Sequence, residues 1–275
     1  MRPARPTSRL IVASVAVLCL VASGQASAYT WYLVGDGDGP PLRWFRTSVG
    51  YHLGTVAPEE LDPGDVGPIV EEAFGAWLDL PGCAIPEVTY AGTSEATGRT
   101  VPRTLAEEPD NLIVFVRTTE AWLDAGHART WIAITSIAHD PRTGEIVDAD
   151  IEVNDGVYRF SAGERPPDAS WIDFASTMTH ELGHFFGMDH SLDTGATMFR
   201  TYAQNDDPIG GRSLAQDDVD GICALYTDVP THVPLSSGSE GCAGGAQSPL
   251  ALVLAALSLW VGRRRTAVVT RGRAR

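Results

Sequence analysis

Three features of the sequence predict an α+β fold with one twisted sheet packed by helices. Val66, Ile69, Val70, Ala73, Phe74, Trp77 and Leu78 recur at helical spacing. The stretches 111–116, 131–138 and 145–154 instead read as strands, the first of them a continuous apolar run suited to a buried strand. Two more helical stretches follow, separated by a glycine-marked break at Gly187. No internal repeat is present.

Taken in order, Trp44 to Leu53 reads as the first strand. The helix after it stops at Pro81-Gly82. "PEVTY" is a short strand, and Gly92 to Pro109 is a polar loop. "NLIVFV" is the buried strand. "WIAITSIA" and "EIVDADIEVN" flank "HDPRTGE", whose Pro, Thr and Gly mark a turn. In the second of these strands Asp148, Asp150 and Glu152 share one face; calcium could bind near Asp148, Asp150 or Asp155, carboxylates that read equally as a solvated strand face. Trp171 to Phe186 is a helix capped by Asp168 or Ser170. Ser213 to Tyr226 is the last helix, with Ser213 as its cap and Gln216 completing a capping box. Asp217 and Asp218 suit the positive end of that helix dipole. Trp77, Trp122, Trp131 and Trp171, with Phe185 and Phe186, are read as core.

Composition adds the wider organisation. The net charge is −15, and all 20 basic residues are arginine. Nine of those arginines lie in residues 1–28 and 243–275, which hold no acid, so the stretch between is strongly acidic. A nucleic-acid partner is therefore not expected, because phosphate binding needs a basic face. Arg2, Arg5 and Arg9, a long apolar run and the small-residue end "ASA" read as an export signal over residues 1–28. Residues 29–228 then form the domain, and 229–248 a Pro/Ser/Gly linker. Residues 249–275 are a short apolar segment with an arginine-rich end, in which Arg263, Arg264 and Arg265 would hold a membrane-inserted tail in orientation. Cys83 and Cys223 are the two cysteines of the domain, and in an oxidising compartment they are expected to be bridged.

The chemistry is concentrated in "HELGHFFGMDH", which holds three of the seven histidines. His180 and His184 lie four apart, on one helical face. Gly187 lets the chain swing back so that His190 supplies a third nitrogen. Three histidines with an open fourth position describe a catalytic zinc site. Glu181, beside the first ligand, is placed to act as general base toward a water.

This stretch resembles the metzincin zinc site, and its surroundings resemble the matrixin branch. Met198, eight residues after His190, falls where that family has a methionine turn, and Ser191 also fits. "LAQDDVDGICALY" is similar to the final matrixin helix. The likeness covers Trp44 to about Tyr226. It implies a zincin-like catalytic domain, a twisted mixed sheet with an active-site helix and a small C-terminal subdomain after Gly187, in which a protein or peptide substrate lies extended against an edge strand, here "WIAITSIA". It also implies that Asp217 or Asp218 pairs with the mature N-terminus. Phe199 and Arg200 depart from the family's usual tyrosine and proline, while Tyr202 fits a later aromatic; these three are the candidate pocket wall. The blocking cysteine of the animal prodomain has no counterpart between Ala28 and the first strand. His52, His127, His139 and His232 read as surface or packing residues rather than a second zinc site. The tail resembles myxobacterial sorting signals, with Cys242 as the processing or anchoring residue. The expected activity is that of a secreted or surface-anchored zinc endopeptidase. The alternatives are a non-catalytic zinc-containing surface binding protein and a processing metzincin of narrow specificity.

Overall fold

The central sheet of the computed structural model has six strands, and the structure describes residues 27–35, 37–99, 110–164, 166–201, 207–227 and 268–273. The elements run β1 (Thr30–Trp31), β2 (Ser48–Gly54), α1 (Pro63–Leu78), β3 (Glu87–Ser94), β4 (Leu112–Phe115), α2 (Thr119–Asp124), β5 (Ala133–His139) and β6 (Ile146–Val153). They continue with β7 (Arg159–Ser161), β8 (Trp171–Asp173), α3 (Phe174–Phe185), β9 (Met188–Asp189), α4 (Gln216–Leu225) and β10 (Val268–Arg273). The sheet order is β10-β5-β6-β4-β2-β3. Parallel pairing joins β6, β4, β2 and β3, whereas β5 runs antiparallel to β6 and β10 antiparallel to β5. The mixed sheet matches the expected α+β class.

Local chemistry explains α1. Asp62 caps it by accepting the Gly64 N–H at 2.9 Å, worth about 1 kcal/mol. Pro63 starts the helix where its missing N–H costs nothing. Its inner face, with Val70, Phe74 and Trp77, packs on α3. The aromatic rings of Phe74 and Phe185 meet edge-on at 5.5 Å, and Trp44 lies 5.3 Å from Phe185. Such contacts contribute about 1 kcal/mol each beyond the area they bury.

Several boundaries differ from expectation. Trp44 lies before β2 and acts as a buried packing residue whose indole N–H donates to the Phe185 carbonyl at 2.9 Å. β3 continues to Ser94, and α2 is an element the apolar pattern did not suggest. Residues 171–173 form β8, paired with β7, so α3 starts at Phe174 and its cap is Asp173 rather than Asp168 or Ser170. Asp168 instead closes a local turn onto Ser170. α4 starts at Gln216; Asp218 accepts the Ala215 N–H at 2.9 Å, and Ser213 is not the cap.

The acidic face of β6 is not solvated. Asp148, Asp150 and Glu152 are all buried: the N–H groups of Asn111 and Leu112 donate to Asp148 and Asp150, and His127 and the Arg99 N–H meet Glu152. Asn111, in the left-handed region at φ 45°, stitches this part together. Its side chain donates to Gly50 O at 2.8 Å and accepts from Ala149 N at 3.0 Å. Burial acts against Glu152 ionisation, but hydrogen bonds and charge from His127 and Arg99 hold its pKa below the ordinary value.

Two further ties complete the fold. Cys83 and Cys223 form the expected disulfide, Cα atoms 4.9 Å apart, joining the segment after α1 to α4. β10 pairs with β5 from Val268↔His139 to Arg273↔Ile134, so the strand expected at the sheet's edge is flanked by the chain's own C-terminal strand. Residues 1–26 of the export signal, Tyr202, His232, the linker, Cys242 and the apolar stretch 249–262 lie outside the described residues. Among the described residues no helix is long and apolar enough to cross a membrane.

Candidate metal centre

α3 carries His180, Glu181 and His184, and both of its ends are fixed. At the start, Asp173 accepts the Ser176 N–H at 2.9 Å and its hydroxyl at 2.8 Å. The same carboxylate is gripped by the Arg212 guanidinium, tying the helix start to the segment after the site. At the end, the otherwise orphaned carbonyls of Phe185 and Phe186 accept from the Trp44 indole and, at 2.8 Å, from the Tyr226 hydroxyl. Gly187 turns the chain with φ 99°. A Cβ there would stand 2.0 Å from the Leu42 carbonyl oxygen, so both the dihedral and the space require glycine.

Past that turn, β9 pairs antiparallel with β1 near the N-terminus, Thr30↔Asp189 and Trp31↔Met188. Thr30 Oγ1 donates to the His190 carbonyl at 2.7 Å. The returning strand brings His190 against the helix, as the sequence led one to expect. One ligand atom from each of His180, His184 and His190 lies within 4.8 Å of the others. Among the described residues this is the one group of three or more metal-ligating side chains so placed.

The chemistry of these donors fits a divalent cation. His180 Nδ1 lies 2.7 Å from the Thr197 carbonyl and His184 Nδ1 2.8 Å from the Met188 carbonyl. A carbonyl accepts only, so each Nδ1 carries the proton and each Nε2 presents a lone pair. The Tyr32 hydroxyl, 3.3 Å from His184 Nδ1, adds a further support. The Nε2 atoms of His180 and His184 are buried and have no protein hydrogen-bond partner. Burial, with His190 beside it, pushes the His180 pKa down to about 3. Burial, with His190 and then His180 as neighbours, drives His184 well below the ordinary imidazole value. The rings are thus held neutral, the form that binds metal. Zinc suits three imidazoles with an open position better than calcium, which takes oxygen ligands.

Met198 lies fully buried against α3 at Gly183, between His180 and His184 in the chain. It fits there because position 183 is glycine: a Cβ would sit 2.2 Å from Met198 Sδ and 2.7 Å from the Trp77 ring. Asp218 fixes the turn by accepting the Thr197 and Met198 N–H groups at 2.7 and 3.0 Å. Asp217 accepts the N–H groups of Ala28 and Tyr29 at 2.9 and 3.1 Å, and the Ser191 hydroxyl at 2.6 Å. These carboxylates therefore do more than complement the dipole of α4. Phe199 is half-buried and bridged to Ser191, while Arg200 is exposed.

Glu181 is fully buried, and the Thr135 hydroxyl of β5 lies 2.6 Å from its Oε2. Tyr32, Thr135 and Asp218 support the site but carry no spacing signal relative to its motif. The calcium candidates are engaged elsewhere. Asp148 accepts the Asn111 N–H at 3.4 Å, Asp150 the Leu112 N–H at 2.7 Å, and Asp155 pairs with Arg117 at 2.7 Å. His52, His127 and His139 stand apart from the triad, His127 with its Nε2 3.0 Å from Glu152.

Residues 118–227, which hold all three histidines, the glycine turn and Met198, match the Matrixin family. The chain carries a matrixin-like metzincin domain. The chain is similar to the interstitial collagenase of Oryctolagus cuniculus, 28% identical over 193 residues, which are 67% of this chain and 33% of the relative. It is 47% identical over 73 residues to the matrilysin of Homo sapiens, 26% of this chain and 27% of the relative. With the neutrophil collagenase of Homo sapiens it is 27% identical over 186 residues, 67% and 33% of the two chains. The chain spans about a third of the length of these curated relatives. The matched residues carry the histidine triad, on α3 and just past its end.

Proposed function

We propose that the chain is a zinc-dependent endopeptidase that hydrolyses peptide bonds in an extended protein or peptide substrate. The observation that carries this reading is the imidazole triad of buried His180 and His184 with half-buried His190, and Glu181 next to its first member on a helix fixed at both ends. His180, His184 and His190 would hold the ion. When bound, zinc supplies Lewis acidity to a carbonyl and lowers the pKa of water. Glu181 is the general base: its carboxylate takes a proton from the attacking water as the new C–O bond forms. It returns that proton to the amine nitrogen as the C–N bond breaks, so one water is consumed and the base is regenerated. The backbone of β5 would pair with the substrate in place of β10, and Phe199, Arg200 and Tyr202 would line the pocket for its side chain. Export under the N-terminal signal and attachment through the C-terminal tail, with Cys242 as the anchoring residue, complete the proposal. Calcium near Asp148, Asp150 or Asp155 is an additional expectation.

The test is metal analysis of the purified protein together with cleavage of a broad peptide library. One zinc per chain, and cleavage that Glu181→Ala abolishes while zinc is retained, are the expected results; calcium found in the same analysis would support the second metal, and its absence would remove it. Zinc binding with no cleavage of any peptide would overturn the enzyme reading and favour a non-catalytic zinc protein. Cleavage confined to one sequence would favour a narrow processing enzyme. Mass spectrometry of the mature C-terminus tests the tail, and an intact Arg275 would overturn processing.

A further inference from the structure

The face of β5 turned toward α3 is apolar at Ala133 and Ile137, both fully buried, and polar only between them, at Thr135. A hydroxyl in such a place needs a partner. It has two on one residue: Thr135 Oγ1 lies 2.6 Å from Glu181 Oε2 and 3.1 Å from the Glu181 carbonyl oxygen. Neither Thr135 nor Glu181 has any exposed surface. As a β-branched residue in a strand, threonine has few χ1 states, so its hydroxyl sits where the strand puts it. A donor at that place makes the two carboxylate oxygens inequivalent and holds the plane of the carboxylate in one orientation.

We propose that Thr135 is a positioning residue: its hydroxyl fixes the carboxylate of Glu181 for proton transfer. The proposal rests on the reading of Glu181 as the base of a peptidase. The hydroxyl does not touch substrate or metal; it acts through Glu181. Because β5 is also the strand a substrate would pair with, the same element that registers the peptide orients the base. A purely structural role is the competing explanation, in which the hydroxyl only satisfies the buried helix carbonyl. That role would lower stability when the hydroxyl is removed and leave turnover per folded, metal-loaded molecule unchanged.

The experiment compares Thr135→Val, which keeps the shape and removes the donor, with Thr135→Ser, which keeps the donor. Both are assayed as zinc-loaded full-length protein, with loading measured. Thr135→Val is expected to lower kcat roughly 10- to 100-fold with KM unchanged, as loss of orientation does, and Thr135→Ser to restore most of it. In a Glu181→Gln background the Thr135→Val step should have no further effect on kcat. Independently of catalysis, infrared difference spectra of metal-free protein should show one carboxylate stretch shifted by Thr135→Val and absent after Glu181→Gln. Unchanged kcat in Thr135→Val, with wild-type protein active, would overturn the positioning role and leave the peptidase reading standing. Wild-type protein that cuts nothing would overturn the peptidase reading, while the infrared shift would still report the contact. Should Thr135→Val fail to fold, a normally folded Thr135→Ala supplies the same comparison.

Discussion

Asp148 shows how one residue can work against the fold it belongs to. Burial, opposed in part by the Asn111 N–H and reinforced by Asp110, pushes its pKa up to about 7. In the unfolded chain the same carboxyl titrates near its ordinary value of about 4. A group whose pKa is raised on folding contributes stability at low pH and loses it as pH rises through the folded value. Asp148→Asn keeps an oxygen for the Asn111 N–H and removes the charge. Urea unfolding at about pH 8 should find the variant more stable than wild type, by on the order of 1–3 kcal/mol, and at about pH 4 the two should be similar. Equal stabilities at the higher pH would mean that the carboxylate is paid for by a partner in the native state. Residue chemistry also separates what the sequence could show. His180, His184, His190 and Gly187 stand within eleven residues, and their spacing alone places them. Thr135 and Tyr32 reach the same site from 46 and 152 residues away, and no local pattern ties them to it.

At the scale of elements, strand pairing decides what the sheet can offer a peptide. β5 is antiparallel to β6 on one side and to β10 on the other. A backbone edge pairs with only one strand at a time, so β10 and an extended substrate compete for it. A chain ending at residue 227 should therefore show a lower KM for peptides than the full chain, with kcat little changed. It should also self-associate more readily, because an uncovered edge is a template for pairing; light scattering reads this directly, and identical behaviour of the two chains would rule out a covered edge. Helix and strand identities were legible where periodicity was strong, as in α1, or an apolar run was unbroken, as in β4. They failed where a neighbour set the boundary. β8 is a strand because β7 lies beside it, and the acids of β6 are buried because Arg99, Asn111, Leu112 and His127 meet them from outside the strand. Alternation in one strand cannot tell water from a covering loop.

For the whole molecule, the disulfide closes a span of 140 residues. The chain-entropy argument gives about 4–5 kcal/mol for so long a loop, an upper figure because strained or residually folded states lower it. The double variant Cys83→Ser, Cys223→Ser should lose about 2–5 kcal/mol in urea unfolding, matching wild type treated with reductant. No loss would mean that the reduced chain is already constrained. The same long reach governs the metal centre. His184 leans on Tyr32, near the start of the domain, and the turn beneath the triad hangs on Asp218, in the last helix. Contacts so distant along the chain form late in folding. A chain still emerging from the ribosome offers an ion two imidazoles on a bare helix, with neither returning ligand nor floor. Metal capture by the proposed centre would accordingly be an event of the finished molecule, and the compartment in which folding ends would determine which ion it meets.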